Sequence, residues 1–181
     1  MNVWNRINAR KVVLSYFYQR CFFHKLPKQD SVISEVLSVE NIFPSKKEEF
    51  EENKKIILAK INDELLIPND ENLEYFVNTF FDKRDIEEID MDYVMKIWSS
   101  YDKYLQEAVD AINKYTQTFT FLEMNTINQA VFLLWYIEWK VLETPKEVLL
   151  NELVELSKRF DDEWSAKLIN WIMHKIFNNI E

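Results

Sequence analysis

The sequence predicts an all-α protein of about eight helices, a helical bundle in which residues 1–181 form one domain. Three observations carry that expectation. Apolar residues recur at three- and four-residue spacing almost throughout, no segment alternates apolar and polar as a strand would, and Pro27, Pro44, Pro68 and Pro145 fall where the helical periodicity breaks. There is no visible 20–50-residue repeat and no low-complexity stretch. At 181 residues with 48% hydrophobic content, the chain has the length of one domain and can fill a sizeable core.

The elements follow in order. A first helix is expected from Val3 to Phe23, with Val3, Ile7, Leu14, Phe17 and Cys21 as its apolar stripe. Arg6, Arg10 and Arg20 fall within about 80° of one another on one shoulder of it, and Asn8, Lys11, Ser15 and Gln19 form the opposite polar arc. Arginines in that position either lay their stems over the core edge or grip phosphates. After Pro27 a short helix is expected around Ser31 to Ser38. Ser45 with Glu48 then makes a capping box opening a helix to about Leu66, with Phe50, Ile57, Ile61 and Leu65 turned inward. Further helices are expected at Glu71 to Phe81 and Asp92 to Tyr115. Asn125 to Leu142 is the most apolar and should be the central helix. Thr144, Pro145 and Glu147 form a strong helix start, and the final helix runs from Glu163 to Asn178 with Leu168, Ile169, Ile172, Met173 and Ile176 buried.

The chain has no glycine, where an average composition of roughly 7% would give about 13. Phosphate-cradling loops, dinucleotide-binding turns and nucleophile elbows all need a residue without a side chain where backbone meets ligand or φ is positive, so those sites are excluded. The one cysteine, Cys21, permits no intrachain disulfide and reads as a small buried apolar residue. The longest apolar run, Ala130 to Ile137, is ended by Glu138 and falls short of the about 20 residues of a membrane span. No signal peptide is apparent, and a cytoplasmic protein is expected.

Charge is unevenly distributed. Residues 1–28 hold six basic and no acidic side chains, whereas the rest of the chain holds 16 basic and 31 acidic ones, for a net charge of −9. A basic N-terminal element on an acidic body fits either a local polyanion contact or a solvated helix face. Catalytic arrangements are scarce. His24 and His174 lie far apart in sequence, and the acidic run Asp85 to Asp92 lacks the alternating ligands of a calcium loop. No enzyme activity, metal or cofactor is expected. Asn151, Glu152 and Asn170, polar groups within apolar helices, fit a hydrogen-bonded network tying the last two helices together, or a partner contact.

Three segments then point to a family. NRINARKVVLSYFYQ (Asn5 to Gln19), VLETPKEVLLNELVELSKRF (Val141 to Phe160) and SAKLINWIM (Ser165 to Met173) resemble the bacterial transcription antitermination factor NusB family. Ala9, Arg10, Phe17, Tyr18 and Gln19 stand in register with the family's first helix. Pro145, Asn151, Glu152 and Glu155 to Lys158 match its C-terminal signature, and Lys167 to Met173 its closing Lys-Phe-Val-Asn-Gly-Val-Leu, with Asn170 in place. The middle, Tyr93 to Leu105 and Leu122 to Glu138, is compatible but less specific, so the resemblance covers roughly half the chain.

The resemblance implies two small helical bundles packed together, and a binding module rather than an enzyme. It implies binding of a single-stranded boxA element of ribosomal RNA leader transcripts with the small-subunit ribosomal protein NusE, within the transcription elongation complex. Arg6, Arg10, Lys11, Tyr18 and Lys167 are the RNA-binding candidates it brings. The chain also departs from the family: it has fewer N-terminal arginines, Leu168 stands where the family has an aromatic and Trp171 where it has a glycine. The region of residues 26–90 is longer than the family's usual connection and reads as an enlarged helical insertion. A helical protein-interaction scaffold without significant RNA affinity is the alternative.

Overall fold

In the computed structural model the described residues are 3–25, 47–60, 70–82, 89–116, 118–160 and 163–179. They contain α-helices and one short 3-10 turn, and no strand. We number the helices α1 (Val3–Lys25), α2 (Lys47–Lys60), α3 (Asp70–Phe80), α4 (Met91–Ser99), α5 (Tyr101–Tyr115), α6 (Thr126–Leu142), α7 (Lys146–Phe160) and α8 (Glu163–Asn178), with the 3-10 turn at Phe121–Glu123 between α5 and α6. The short helix expected around Ser31 to Ser38 lies outside the described residues. No described helix is long and apolar enough to cross a membrane.

The chain divides into two compact units, one of residues 1–18 and 81–181, the other of residues 19–80. In the larger unit α6 is central, as its composition predicts: every residue from Asn128 to Glu138 is buried, and the helix packs on α4, α5, α7 and α8. Asn125 caps it, its side chain accepting from the Asn128 amide. Two rings of α1 are held at tilted or edge-on angles, Tyr16 on Trp98 at 5.7 Å and Phe17 on Tyr101 at 4.8 Å. The smaller unit buries Cys21, Leu73, Phe76 and Val77, while Phe50 and Ile57 of the expected α2 stripe are only half-buried.

Two local features depart from the pattern-based expectation. The single helix expected from Asp92 to Tyr115 is two, α4 and α5. The Ser100 hydroxyl donates to the Lys96 carbonyl at 2.8 Å and that of Ser99 to the same oxygen at 3.4 Å, so the serine pair competes for the backbone and breaks the helix. At the end of α6, Glu143 takes the left-handed conformation with φ 52° and ψ 31°, and its amide donates to the Trp139 carbonyl at 3.1 Å. Helices commonly end this way on glycine. A chain without glycine places Glu143 there, and the reversal carries Thr144 and Pro145 into α7, whose first bonds run from the Val148 and Leu149 amides to the Pro145 carbonyl.

Candidate nucleic-acid interface and the clasp behind it

The arginine shoulder of α1 faces inward. Arg10 is 7% exposed, and its guanidinium meets Glu138 of α6, which is completely buried. Arg10 Nε donates to Glu138 Oε2 at 3.0 Å and Nη2 to Oε1 at 2.8 Å, the parallel two-bond geometry that suits a guanidinium to a carboxylate. Tyr93 of α4 donates its hydroxyl to Oε2 at 2.6 Å, and Thr144 donates to Oε1 at 3.3 Å. Each carboxylate oxygen thus accepts two hydrogen bonds, the full capacity of an ionised glutamate. Arg10 Nη1 reaches across to Glu152 Oε2 of α7 at 3.0 Å. One buried carboxylate therefore links α1, α4, α6 and the turn that leads into α7, and Arg10 extends the link to α7 itself.

Electrostatics agree with the geometry. Burial works against the charged Arg10 guanidinium, but the hydrogen bond and charge of Glu138 outweigh it and hold the group above the usual arginine range. Burial first, then the charge and hydrogen bond of Glu138, push the Tyr93 phenol well above the usual tyrosine range, so it stays a neutral donor. Arg6 sits one turn before Arg10, pairs with Asp90 at 3.0 Å and places its guanidinium carbon 4.4 Å from the centre of the Tyr93 ring.

The structure therefore sorts the expected site residues. The expectation of a phosphate contact at Arg10 is corrected: its guanidinium is buried and satisfied by two carboxylates. Arg6 is partly exposed at the rim of the same cluster. Lys11 is half-exposed, donating to the Asn8 side chain at 3.2 Å, and Tyr18 is 43% exposed. Seven residues apart, those two share one face of α1. Lys167 lies exposed on α8 beside a cleft of about 240 Å³ that it lines with Val154, Lys158, Ala166 and Asn170. A smaller cleft between α1 and α7 is lined by Ile7, Arg10, Glu152, Glu155 and Leu156, so α7 borders both. The network expected between the last two helices is also corrected in part: Glu152 ties α7 to α1, Asn151 is exposed and Asn170 is half-buried at the larger cleft.

Sequence reasoning missed Tyr93, Glu138, Thr144 and Asp90. A signal for Glu138 existed, since a carboxylate at the end of the run Ala130 to Ile137, on a helix apolar on most sides, must find a charged partner if it is buried. Among the described residues no group of three or more His, Cys, Asp or Glu side chains could hold a metal ion.

Fold and site define an all-α protein whose basic residues divide between an internal clasp and outward helix faces. The family model described as the NusB family matches residues 53–178, well over half of the chain, and the chain belongs to that family. The matched stretch contains both C-terminal motifs and leaves Asn5 to Gln19 outside it. Its curated relatives include proteins named Transcription antitermination protein NusB. That of Lactococcus lactis is 41% identical over 63 residues, covering 34% of this chain and 33% of the relative. That of Clostridium botulinum (strain Loch Maree) is 28% identical over 121 residues, 60% of this chain and 86% of the relative. That of Macrococcus caseolyticus is 30% identical over 73 residues, 40% and 56% respectively. The chain thus spans a third of the first relative's length, most of the second's and just over half of the third's. No solved structure matches the chain significantly.

Proposed function

We propose that this chain is a transcription antitermination and ribosome-biogenesis factor that binds boxA-like single-stranded RNA together with the ribosomal protein NusE, as part of the transcription elongation complex. The observation that carries the reading is the family match over residues 53–178, joined to relatives that bear the antitermination name. Lys11 and Tyr18 on one face of α1 and Lys167 on α8 are the RNA contacts, with Arg6 at the margin. Arg10 positions α1 and touches no RNA. The protein acts by binding and is not an enzyme.

Binding of a boxA-like single strand, measured across a salt series with and without the cognate NusE, tests this. Three phosphate contacts on a single strand correspond to a log–log salt slope of about −2. Specific binding with that slope, strengthened by NusE, is the expected result. The engagement of Arg6 by Asp90 and of Arg10 by Glu138 and Glu152 favours a second reading, a scaffold that binds a basic protein on its acidic body. NusE binding with no RNA affinity at any salt would select the scaffold.

A further inference from the structure

The basic side chains of α8 and the indole of Trp171 gather on one outward strip. From Trp164 to Ile180 there is no acidic residue, although the whole chain carries 31 acidic against 22 basic ones, and Lys167, His174 and Lys175 all fall in that stretch. At 100° per residue, Lys167, Trp171, His174, Lys175 and Asn178 lie within an arc of about 100°. All five are exposed. Trp171 is 47% exposed, whereas Trp98 and Trp135 are packed in the core. A half-exposed indole is a large apolar surface to leave in water. Lys175 Nζ lies 5.8 Å from the centre of its ring, close enough for a cation to be drawn to the indole face. Lys158, on α7, shares the cleft with Lys167 and is paired with Glu155 at 2.6 Å.

We propose that this strip is a stacking platform for single-stranded RNA, with Trp171 taking an unpaired base while Lys167 and Lys175 hold the phosphates on either side of it. The inference rests on the RNA-binding reading above and adds the residue that receives a base. Charge complementarity selects the ligand, because on a protein of net charge −9 a polyanion is drawn to the few cationic surfaces, of which this strip is one. The flat ring between two lysines selects an aromatic polyanion, since every base offers a face on which an indole can stack. An acidic peptide would use the lysines and leave the indole without a partner.

The test compares the full-length wild-type chain with Trp171→Ala, Trp171→Phe and Lys167→Ala, binding a boxA-like strand and an abasic strand of the same length, with circular dichroism to confirm folding. Wild type should prefer the strand with bases. Trp171→Ala should erase that preference and weaken binding about 5- to 100-fold with the salt slope unchanged, and Trp171→Phe should retain most of it. Lys167→Ala should flatten the slope and keep the preference. Wild-type RNA binding with Trp171→Ala within twofold of it would overturn the platform and leave the RNA-binding reading standing. Loss of NusE binding by Trp171→Ala, with RNA binding intact, would make the strip a protein contact and also overturn the platform. Absence of RNA binding by wild type, with and without NusE, would overturn both.

Discussion

Helix α1 carries five lysines and arginines and α8 carries two, and the two helices place them in opposite ways. On α1, Arg10 and Arg20 are buried, and Arg10 spends its charge on Glu138 and Glu152. On α8, Lys167, His174 and Lys175 all face solvent. Side-chain chemistry explains the difference. A guanidinium presents a planar fork that fits a carboxylate with two bonds and is weakly hydrated, so it tolerates the interior, whereas a lysine ammonium is a compact, strongly hydrated point charge that stays in water. A basic stretch in a sequence is thus not yet a basic surface.

The largest expected effect breaks the inward half of this comparison. Arg10→Ala or Glu138→Ala leaves one buried charge without its partner and should cost about 3–5 kcal/mol in urea unfolding. The double replacement Arg10→Met with Glu138→Leu should recover most of that, because the attraction of a buried pair largely offsets the cost of desolvating it. A loss below about 0.5 kcal/mol in either single variant would mean that the clasp does not hold the fold.

The same clasp shows what the sequence made legible and what it hid. The helical elements, the centrality of α6 and the bounds of α8 follow from periodicity and capping, because those are local properties of the chain. The pairing of Arg10 with Glu138 spans 128 positions and depends on which faces meet, which no local pattern encodes. The shoulder of Arg6, Arg10 and Arg20 was visible, with two uses open to it, and only the carboxylate opposite decides between them. Tyr93 carried no signal at all, since a tyrosine on an apolar stripe looks like any core aromatic. Lys167 was singled out through its motif. Trp171 was visible only as a departure from that motif, and its exposure is a tertiary fact.

Removing one donor tests the clasp more gently. Tyr93→Phe should cost about 1–2 kcal/mol at neutral pH, the loss of a hydrogen bond to a buried charged group. It should also change the alkaline limb. A phenol whose folded pKa is raised keeps its proton after the unfolded chain has lost it, so its contribution is fully present below the ordinary tyrosine value of about 10 and is lost as pH rises toward the folded value. Urea midpoints between about pH 9 and 11 should fall less steeply in Tyr93→Phe. Some slope should remain from Tyr136, whose phenol is also raised, by burial and by its hydrogen bond to Glu107. Identical slopes in the two proteins would place Tyr93 outside the titrating set.

A smaller effect is expected where the chain reverses to bring Thr144 onto Glu138. Glu143 holds the left-handed conformation at a cost of about 1–2 kcal/mol relative to glycine, partly offset by the greater freedom of glycine in the unfolded chain. Glu143→Gly should therefore raise stability by about 0.5–1 kcal/mol, seen as a higher thermal midpoint. A lower midpoint would mean that the Glu143 side chain contributes more to the turn than its backbone costs.

The outward half of the comparison is sharpened by the substitution that should do least to the fold. Lys167 is exposed, so Lys167→Ala should change stability by less than about 0.5 kcal/mol. If the lysine holds a phosphate, the same change should reduce the salt slope of RNA binding by about 0.7, the share of one contact on a single strand. Arg10 should behave in the reverse way: in a background stabilised enough to fold, Arg10→Met with Glu138→Leu should leave the slope as it is in the parent protein. A slope that falls for the arginine variant and holds for the lysine variant would reverse the assignment and return the RNA contact to the arginines of α1.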